Sequence, residues 1–232
     1  MKKLFCTILI FVGTAFFCAA EGIVEEAKKG NEKAEVSYAF GMAVAADLKD
    51  TGLEFNYNSF LRGFRESMEN EKTLYTIDEA MNIIQTAFAA SQAEIAERNL
   101  AMGMAFLEDN GKMPGVVTTS SGLQFELLSG GSGEIPGPSD TVMVHYRGAT
   151  IDGMIFDSTY ERGEPLEVPL DRVIPGWSEG LRMMTEGSRA RLYLPPNLAY
   201  GERGAGNAIG PNAVLVFEVE LLSIVRSPDE DQ

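Results

Sequence analysis

The sequence has few of the side chains on which most enzymes rely to make and break bonds. It contains two cysteines, one histidine and one tryptophan. Both cysteines, Cys6 and Cys18, lie in the first twenty residues, so the rest of the chain has neither a disulfide framework nor a thiol nucleophile. His145, the only histidine, is interpreted as a strand residue on the face opposite Tyr146, without a catalytic role, and no cluster of metal ligands is evident in the sequence. The sequence therefore predicts no metal and no cofactor, and it argues against a hydrolase with a nucleophile and a histidine base.

Positive charge is also scarce. Lysine and arginine number 19 against 34 aspartates and glutamates, which gives a formal net charge of -15 at pH 7. A phosphate-binding surface needs clustered basic residues, so nucleic acid is not an expected partner. The glycine-rich stretch 201–210 lacks the Gly-Lys-Ser/Thr ending of a phosphate loop. We interpret this stretch as a flap beside Tyr200.

A long apolar run is found near the start of the sequence. It spans residues 4–17, follows two lysines and precedes three small residues. This pattern is typical of a secretory signal peptide, and the run is too short for a comfortable membrane span. We therefore expect export to the periplasm or cell envelope, with cleavage after Ala20. Two alternatives stay open: lipid attachment at Cys18, against which the bulky Phe17 argues, and a retained anchor.

The next part of the chain, up to about residue 110, has helical periodicity and few glycine or proline clusters. Three helices are predicted, at residues 36–49, at 57–68 and from 77 to about 108. The third begins with Thr76 and Glu79 in the spacing of a capping box, which satisfies backbone amides at a helix start.

The third predicted helix carries an apolar stripe with intervals of three, four or seven residues. Such a stripe needs a partner, and burial in its own domain, a second copy and a client-binding cleft all stay open. The stripe weakens where Ser91 and Arg98 stand at expected apolar positions, so we expect the middle of the helix to be a solvated arm. Its members are Ile77, Met81, Ile84, Phe88, Ile95 and Met102.

Beyond residue 115 short alternating runs are separated by glycine and proline. Apolar residues alternate with others at 142–147 and at 215–221, which predicts antiparallel strands with one buried face. Between them, residues 175–184 predict a short helix with Pro175 near its start and Gly187 beyond its end. The prediction is an α+β domain, in which a sheet wraps around one short helix.

Five motifs in this part supply aromatic rings, one carboxylate and one phenol. In chain order they are Val144-His145-Tyr146-Arg147-Gly148, Phe156-Asp157-Ser158-Thr159, Val173-Ile174-Pro175-Gly176-Trp177, Ala199-Tyr200-Gly201 and Leu215-Val216-Phe217-Glu218-Val219. Their order and spacing resemble those of FKBP-type peptidyl-prolyl cis-trans isomerases. The resemblance implies an enzyme that rotates the peptide bond before proline.

The resemblance also implies roles for individual residues. The backbone amide of Ile174 and the hydroxyl of Tyr200 are expected to hold substrate carbonyls, Asp157 to face the twisting amide, and Arg162 to orient that carboxylate. Trp177 is the expected floor on which the proline ring packs. The further substrate-contacting positions are Tyr146, Phe156, Leu166, Val173, Ile209 and Phe217.

The helical half resembles the amino-terminal region of the macrophage-infectivity-potentiator (Mip) type of these isomerases. The resemblance rests on Ser37-Tyr38-Ala39-Phe40-Gly41, on the long helix and on the segments 114–116 and 121–124. It implies a homodimer formed through the helical half. The expected division is a signal peptide at 1–20, a helical dimerisation or client-holding domain at 21–112, an isomerase domain at 113–226 and a disordered acidic tail at 227–232.

The expected partners are exported polypeptides that contain proline, and macrolide inhibitors are possible ligands. Leu166 stands where many family members have an aromatic residue, and Ala205 and Ala208 replace larger groups in the flap, so macrolide affinity and sequence preference stay open. The alternative function is a non-catalytic chaperone or envelope interaction module that binds proline-containing segments without isomerising them.

Overall fold

Capping and periodicity produce three helices in the first part of the chain. The computed structural model describes residues 32–49, 51–206 and 208–225. The predicted signal peptide, its two cysteines and the acidic tail lie outside the described residues. The helices are α1 (Glu32–Lys49), α2 (Tyr57–Met68) and α3 (Ile77–Asn110). None of the helices in the described part of the chain is long and apolar enough to cross a bilayer.

The start of α3 has the predicted capping box. The Thr76 amide donates to a carboxylate oxygen of Glu79 at 2.8 Å, and the Glu79 amide donates to the Thr76 hydroxyl at 3.3 Å. The α2 helix is capped by Asn56, whose side chain accepts from the Ser59 amide at 3.0 Å. The N-termini of α2 and α3 are therefore each specified by local hydrogen bonds.

The chain divides into two compact units, of which one ends at Met81 and the second begins at Asn82. Among the described residues of the first unit no apolar side chain is buried. The buried side chain there is that of Glu66, which pairs with Arg62 at 2.6 Å between Oε1 and Nε. This unit therefore has well-formed helices and, within one described chain, no apolar core.

From residue 91 onward α3 packs along one face against the rest of the second unit. The face has a four-residue repeat and consists of Ile95, Asn99, Gly103 and Leu107, which are half-buried or buried. Met102, a member of the predicted stripe, is not part of this face and is 52% exposed. Burial in its own domain is therefore excluded for Met102, whereas contact with a second copy or with a client stays open. The sequence pattern missed this face because two of its members are asparagine and glycine, which an apolar periodicity does not count.

Seven strands form one antiparallel sheet within the described residues. Their order across the sheet is β1-β2-β6-β7-β3-β4, and β5 pairs with the part of β3 that β4 leaves open. The strands are β1 (Val116–Thr118), β2 (Gln124–Ser129), β3 (Thr141–Thr150), β4 (Ile155–Ser158), β5 (Leu166–Pro169), β6 (Arg189–Leu194) and β7 (Leu215–Val225).

The predicted alternation is confirmed in the two central strands. Burial alternates along β3 at Val142, Val144 and Tyr146, and along β7 from Leu215 to Leu221. These strands pair over their full common length, with a bulge between Met143 and Val144. The α+β fold class, with helices first and then a sheet around a short helix, is confirmed.

Two short helices, α4 (Thr159–Arg162) and α5 (Pro175–Leu181), connect strands beside the core. The α5 helix ends at Leu181, three residues before the predicted end at Met184. The amide of Met184 donates to the carbonyl of Leu181 at 3.1 Å, so the chain leaves the helix through a turn of i to i+3 bonds.

Candidate active site

An aromatic cluster lies between α5 and the two central strands. The Trp177 ring is 4.8 Å from Tyr146 and 5.3 Å from Phe217 between centroids, at interplanar angles of 87° and 86°. Phe156 stands edge-on to Phe217 at 5.6 Å. Edge-to-face contacts of this kind are favoured by the charge distribution of aromatic rings. Four rings from separate motifs therefore meet in one cluster.

Gly148, near the end of β3, lets two of these rings approach each other. It pairs with Phe217 on one neighbouring strand and with Asp157 on the other. A Cβ atom at this position would lie 2.7 Å from ring atoms of both Phe156 and Phe217. Gly148 was not singled out from the sequence, although a glycine inside an alternating strand is itself a signal of close approach.

The α5 helix holds Trp177 at the cluster by close packing on β6. Cβ atoms at Gly176 and Gly180 would lie 2.5 Å and 2.7 Å from side-chain atoms of Leu194 and Leu192. Because both positions lack a side chain, the helix lies directly on the strand. Trp177 is 5% exposed, and its indole nitrogen has no hydrogen-bond partner in the part of the chain that the structure describes.

Ile174 caps the start of α5. Its carbonyl accepts from the amides of Trp177 and Ser178 at 2.9 Å and 3.2 Å. For its own amide, no hydrogen-bond partner is found among the described residues. An amide in this position can donate to a bound carbonyl without breaking a bond in the protein.

Asp157, at the rim of the cluster, is held by two donors. One carboxylate oxygen accepts from the hydroxyl of Tyr146, and the other pairs with the guanidinium of Arg162. Arg162 also donates to the Tyr146 hydroxyl at 3.2 Å, and its guanidinium carbon lies 5.7 Å from the centre of that ring. The three side chains form a closed triangle that fixes the direction of the carboxylate.

The pKa of Tyr146 is raised from its ordinary value. Burial of the phenol is the largest cause, the hydrogen bond from Arg162 opposes it, and the neighbouring carboxylate of Asp157 adds to it. The phenol therefore stays protonated at neutral pH and remains a donor to Asp157.

Thr159 holds the backbone of Tyr146 and was not singled out from the sequence. It is fully buried, its hydroxyl accepts from the Tyr146 amide at 2.8 Å, and it lies 3.2 Å from the Tyr146 carbonyl. The Thr159 hydroxyl thus replaces, for the Tyr146 amide, the backbone acceptor that a neighbouring strand would provide, at the point where β4 ends and α4 begins. A Thr after a strand gives no such signal in sequence alone, because the contact spans 13 residues.

The other expected positions lie around the same core. Leu166, Val173 and Ile174 are half-buried against it, and Ile209 from the flap is buried within it. Tyr200 is 40% exposed and precedes the short 3-10 helix Gly201–Arg203; it lies outside this apolar cluster. In the described ranges, no group of three or more His, Cys, Asp or Glu is arranged to hold a metal ion.

Comparisons with known proteins agree with this fold. The sequence model of the FKBP-type peptidyl-prolyl cis-trans isomerase matches residues 133–222, and that of the domain amino terminal to it matches residues 33–127. The FKBP-type 22 kDa peptidyl-prolyl cis-trans isomerase of Escherichia coli strain K12 is 42% identical over 197 residues, which cover 83% of this chain and 96% of that protein.

Two further relatives extend over most of both chains. The outer membrane protein MIP of Legionella longbeachae is 36% identical over 203 residues, covering 84% of this chain and 87% of that protein. The crystal structure of FkpA from Escherichia coli has a TM-score of 0.65 at 35% identity, covering 86% of this chain and 99% of that one. The chain belongs to the family of FKBP-type peptidyl-prolyl cis-trans isomerases. It is an enzyme that interconverts the cis and trans forms of the peptide bond before proline.

Proposed function

We propose that the aromatic cluster is the place where the peptide bond before proline is twisted. The proline ring would pack on Trp177, between Tyr146, Phe156 and Phe217, and Leu166, Val173 and Ile209 would complete the surface around it. The burial of Trp177, Tyr146 and Phe217 in the apolar core supports this role. A macrolide inhibitor would occupy the same surface.

The chemistry that such a surface must perform is modest. The barrier to rotation is ~18 to 20 kcal/mol because the planar amide is stabilised by resonance, whereas cis and trans differ by only ~1 kcal/mol before proline. The twisted amide has lost resonance and is less polar, so a dry pocket favours it over the planar form. Lowering the barrier by ~7 kcal/mol accelerates rotation by roughly 10⁵.

The polar groups at the rim would orient the substrate. The amide of Ile174 donates to one substrate carbonyl, and the exposed hydroxyl of Tyr200 donates to another. Asp157 faces the twisting amide, and Arg162 orients Asp157 without touching the substrate. The observation that carries this proposal is the Asp157 carboxylate, which Tyr146 and Arg162 hold at the edge of the ring cluster.

Substitution of Asp157 tests this arrangement. In Asp157→Ala we expect kcat/KM on a short X-Pro peptide to fall at least about tenfold, which corresponds to ~1.4 kcal/mol of lost transition-state stabilisation. The matched control is Asp152→Ala, because Asp152 is an exposed aspartate that bonds the side chain of Thr150 at the neighbouring hairpin. A wild-type kcat/KM at the uncatalysed background would contradict the proposed site as a whole, and equal losses in the two variants would contradict the role of Asp157.

We also propose that residues 21–112 form a domain that joins two copies of the chain, beside an isomerase domain at 113–226. The apolar side chains of α1 and α2 that a single chain exposes support this division, because so many exposed large apolar residues are unusual unless they mark an interaction site. They are Val36, Tyr38, Phe40, Met42, Val44, Tyr57, Phe60, Leu61, Phe64 and Met68.

Sedimentation mass tests the dimer. Phe40→Glu and Phe64→Glu are expected to convert a dimer into a monomer, whereas Ser67→Glu, an exposed position on α2, is the control for added charge. A wild-type monomer that suppresses aggregation of an unfolded client would instead favour client holding by the same surface, and it would contradict the dimer.

Export to the periplasm or cell envelope completes the proposal, with assistance to the folding of exported proteins as its purpose. It is supported by the signal-peptide pattern of the first twenty residues and by a relative that is named an outer membrane protein. The intact mass of the native protein tests it: loss of residues 1–20 supports cleavage, and added lipid mass at Cys18 supports anchoring. A full-length cytosolic chain would contradict export.

A further inference from the structure

The α3 helix contacts the flap where the flap returns to the sheet. The side-chain nitrogen Nδ2 of Asn99 donates to the carbonyl of Pro211 at 2.8 Å, although the two residues are 112 positions apart. Pro211 is buried and Asn99 is half-buried. Both residues belong to the unit that begins at Asn82, so this contact lies within one compact body.

Close packing surrounds this hydrogen bond. A Cβ atom on Gly210 would lie 3.0 Å from Nδ2 of Asn99 and 3.4 Å from a methyl carbon of Ile95. One turn further along α3, a Cβ atom on Gly103 would lie 2.5 Å from a methyl carbon of Val214. The helix therefore follows the chain from Gly210 to Val214, and there is little space in which this segment can shift toward it.

The same segment is tied to both ends of the flap. The amide of Asn212 donates to the carbonyl of Gly201 at 2.9 Å, next to Tyr200. Ala205 and Ile209 exchange two backbone hydrogen bonds, at 2.8 Å and 3.1 Å. Ile209 in turn buries its side chain in the apolar core that includes the aromatic cluster. Pro211 is therefore two residues from Ile209, one expected substrate contact. Its neighbour Asn212 is hydrogen-bonded to Gly201, which follows Tyr200, the other expected contact.

We propose that Asn99, supported by Ile95, is a positioning residue for the isomerase reaction. By holding the Pro211 carbonyl it fixes the flap so that Ile209 lies on the aromatic cluster and Tyr200 stands at its rim. This inference rests on the proposed active site, because it acts through Ile209 and Tyr200. The residue type fits the role: asparagine is a poor helix former in a helix interior, and only its amide group gives α3 a donor for this carbonyl.

The chain offers a matched control on the same helix. Asn110 is also half-buried, and its Nδ2 also donates to the sheet region at 2.8 Å, but its acceptor is the side chain of Gln124, away from the flap. Removing either asparagine deletes one hydrogen bond between α3 and the sheet region. Only the loss of Asn99 should reach the flap.

The experiment compares Asn99→Ala, Asn99→Asp and Asn110→Ala in the full chain. We expect kcat/KM on X-Pro peptides to fall about 3- to 10-fold in both Asn99 variants, the size of one lost hydrogen bond, and to stay within twofold in Asn110→Ala. The Asp variant keeps the shape but lacks the donor, and it serves where the Ala variant folds poorly. We also expect faster hydrogen exchange at residues 201–214, and a changed ratio of kcat/KM between peptides with large and small residues before proline, in the Asn99 variants alone.

Equal effects of Asn99→Ala and Asn110→Ala on kcat/KM would overturn the inference, because they would indicate a general loss of packing. Unchanged exchange at 201–214 in both Asn99 variants would overturn it as well. These outcomes are distinct from failure of the proposed site: if Asp157→Ala keeps full activity, the site is wrong whatever Asn99 does. If Asp157→Ala loses activity and the Asn99 variants do not, only the positioning role fails.

Discussion

The two units of the chain differ in whether they bury their apolar side chains. In the unit that begins at Asn82, the alternating strands and α5 bury their apolar residues in one continuous cluster around Trp177 and Phe217. In the unit that ends at Met81, no described apolar side chain is buried, although α2 there has a hydrogen-bonded cap at Asn56. Local hydrogen bonds are thus sufficient to specify where helices begin, but most of the stability of helices in proteins comes from packing against a partner.

The largest expected effect appears when the two units are separated. A polypeptide of residues 82–232 should fold alone and unfold cooperatively, because its core is complete within one chain. A polypeptide of residues 21–81 should be helical only when it associates, so its melting temperature should rise with concentration, as for any fold stabilised by self-association. Circular dichroism at several concentrations measures both. A concentration-independent, cooperative transition in residues 21–81 would break the contrast.

The same substitution should have opposite effects in the two units. Gly148→Ala places a methyl group 2.7 Å from two rings, and we expect it to lower the free energy of unfolding by about 1 to 3 kcal/mol, the usual range for overpacking. Gly41→Ala, inside α1, meets no atom within 4 Å and should stabilise that helix by about 0.5 to 1 kcal/mol. Urea unfolding measures both. If Gly41→Ala weakens self-association instead, it marks a close approach between two copies.

Substitution of two threonines, Thr159 and Thr86, should give a smaller difference in the free energy of unfolding. Thr159→Val leaves the buried amide of Tyr146 without its acceptor, so we expect a loss of about 1 to 3 kcal/mol in the free energy of unfolding. Thr86→Val is the control, because the Thr86 hydroxyl bonds a carbonyl of its own exposed helix, and its effect should stay within about 0.5 kcal/mol. Chemical unfolding distinguishes them; equal losses would show that the Thr159 bond contributes nothing specific.

The smallest expected effect is a dependence on alkaline pH in the sheet unit. Because the pKa of Tyr146 is raised in the folded state, its protonated form is favoured there. The resulting stabilisation is fully present below the ordinary tyrosine pKa of about 10 and is lost as pH rises through the higher folded value. The difference in unfolding free energy between wild type and Tyr146→Phe should therefore shrink above about pH 10. A difference that stays constant to higher pH would contradict this account.

Much of the fold could be predicted because its signals are local. The capping box at Thr76 and the two-residue alternation in β3 and β7 each depend on neighbours in sequence, and each was confirmed. The end of α5 was placed three residues too late because the residues after Leu181 form a turn whose hydrogen bonds follow those of the helix without a break. Such boundaries depend on tertiary packing more than on residue type.

The features that sequence reasoning missed depend on contacts between distant segments. The motifs named the aromatic rings, but not Gly148, which gives two of them room, or Thr159, which holds Tyr146. The packed face of α3 was missed because Asn99 and Gly103 are recognisable only beside Pro211 and Val214. A periodicity scan scores residue types along one helix, whereas these contacts are set by the surface opposite.

The divided outer edge of β3 has a consequence for an enzyme whose substrates are polypeptides. Two strands of four residues, β4 and β5, share that edge, and β1, with three residues, closes the opposite side of the sheet. A long, flat strand edge would offer its backbone to any extended polypeptide and would promote cross-β aggregation. With its edges shortened in this way, the sheet offers little free backbone to which a polypeptide substrate could add as a further β-strand.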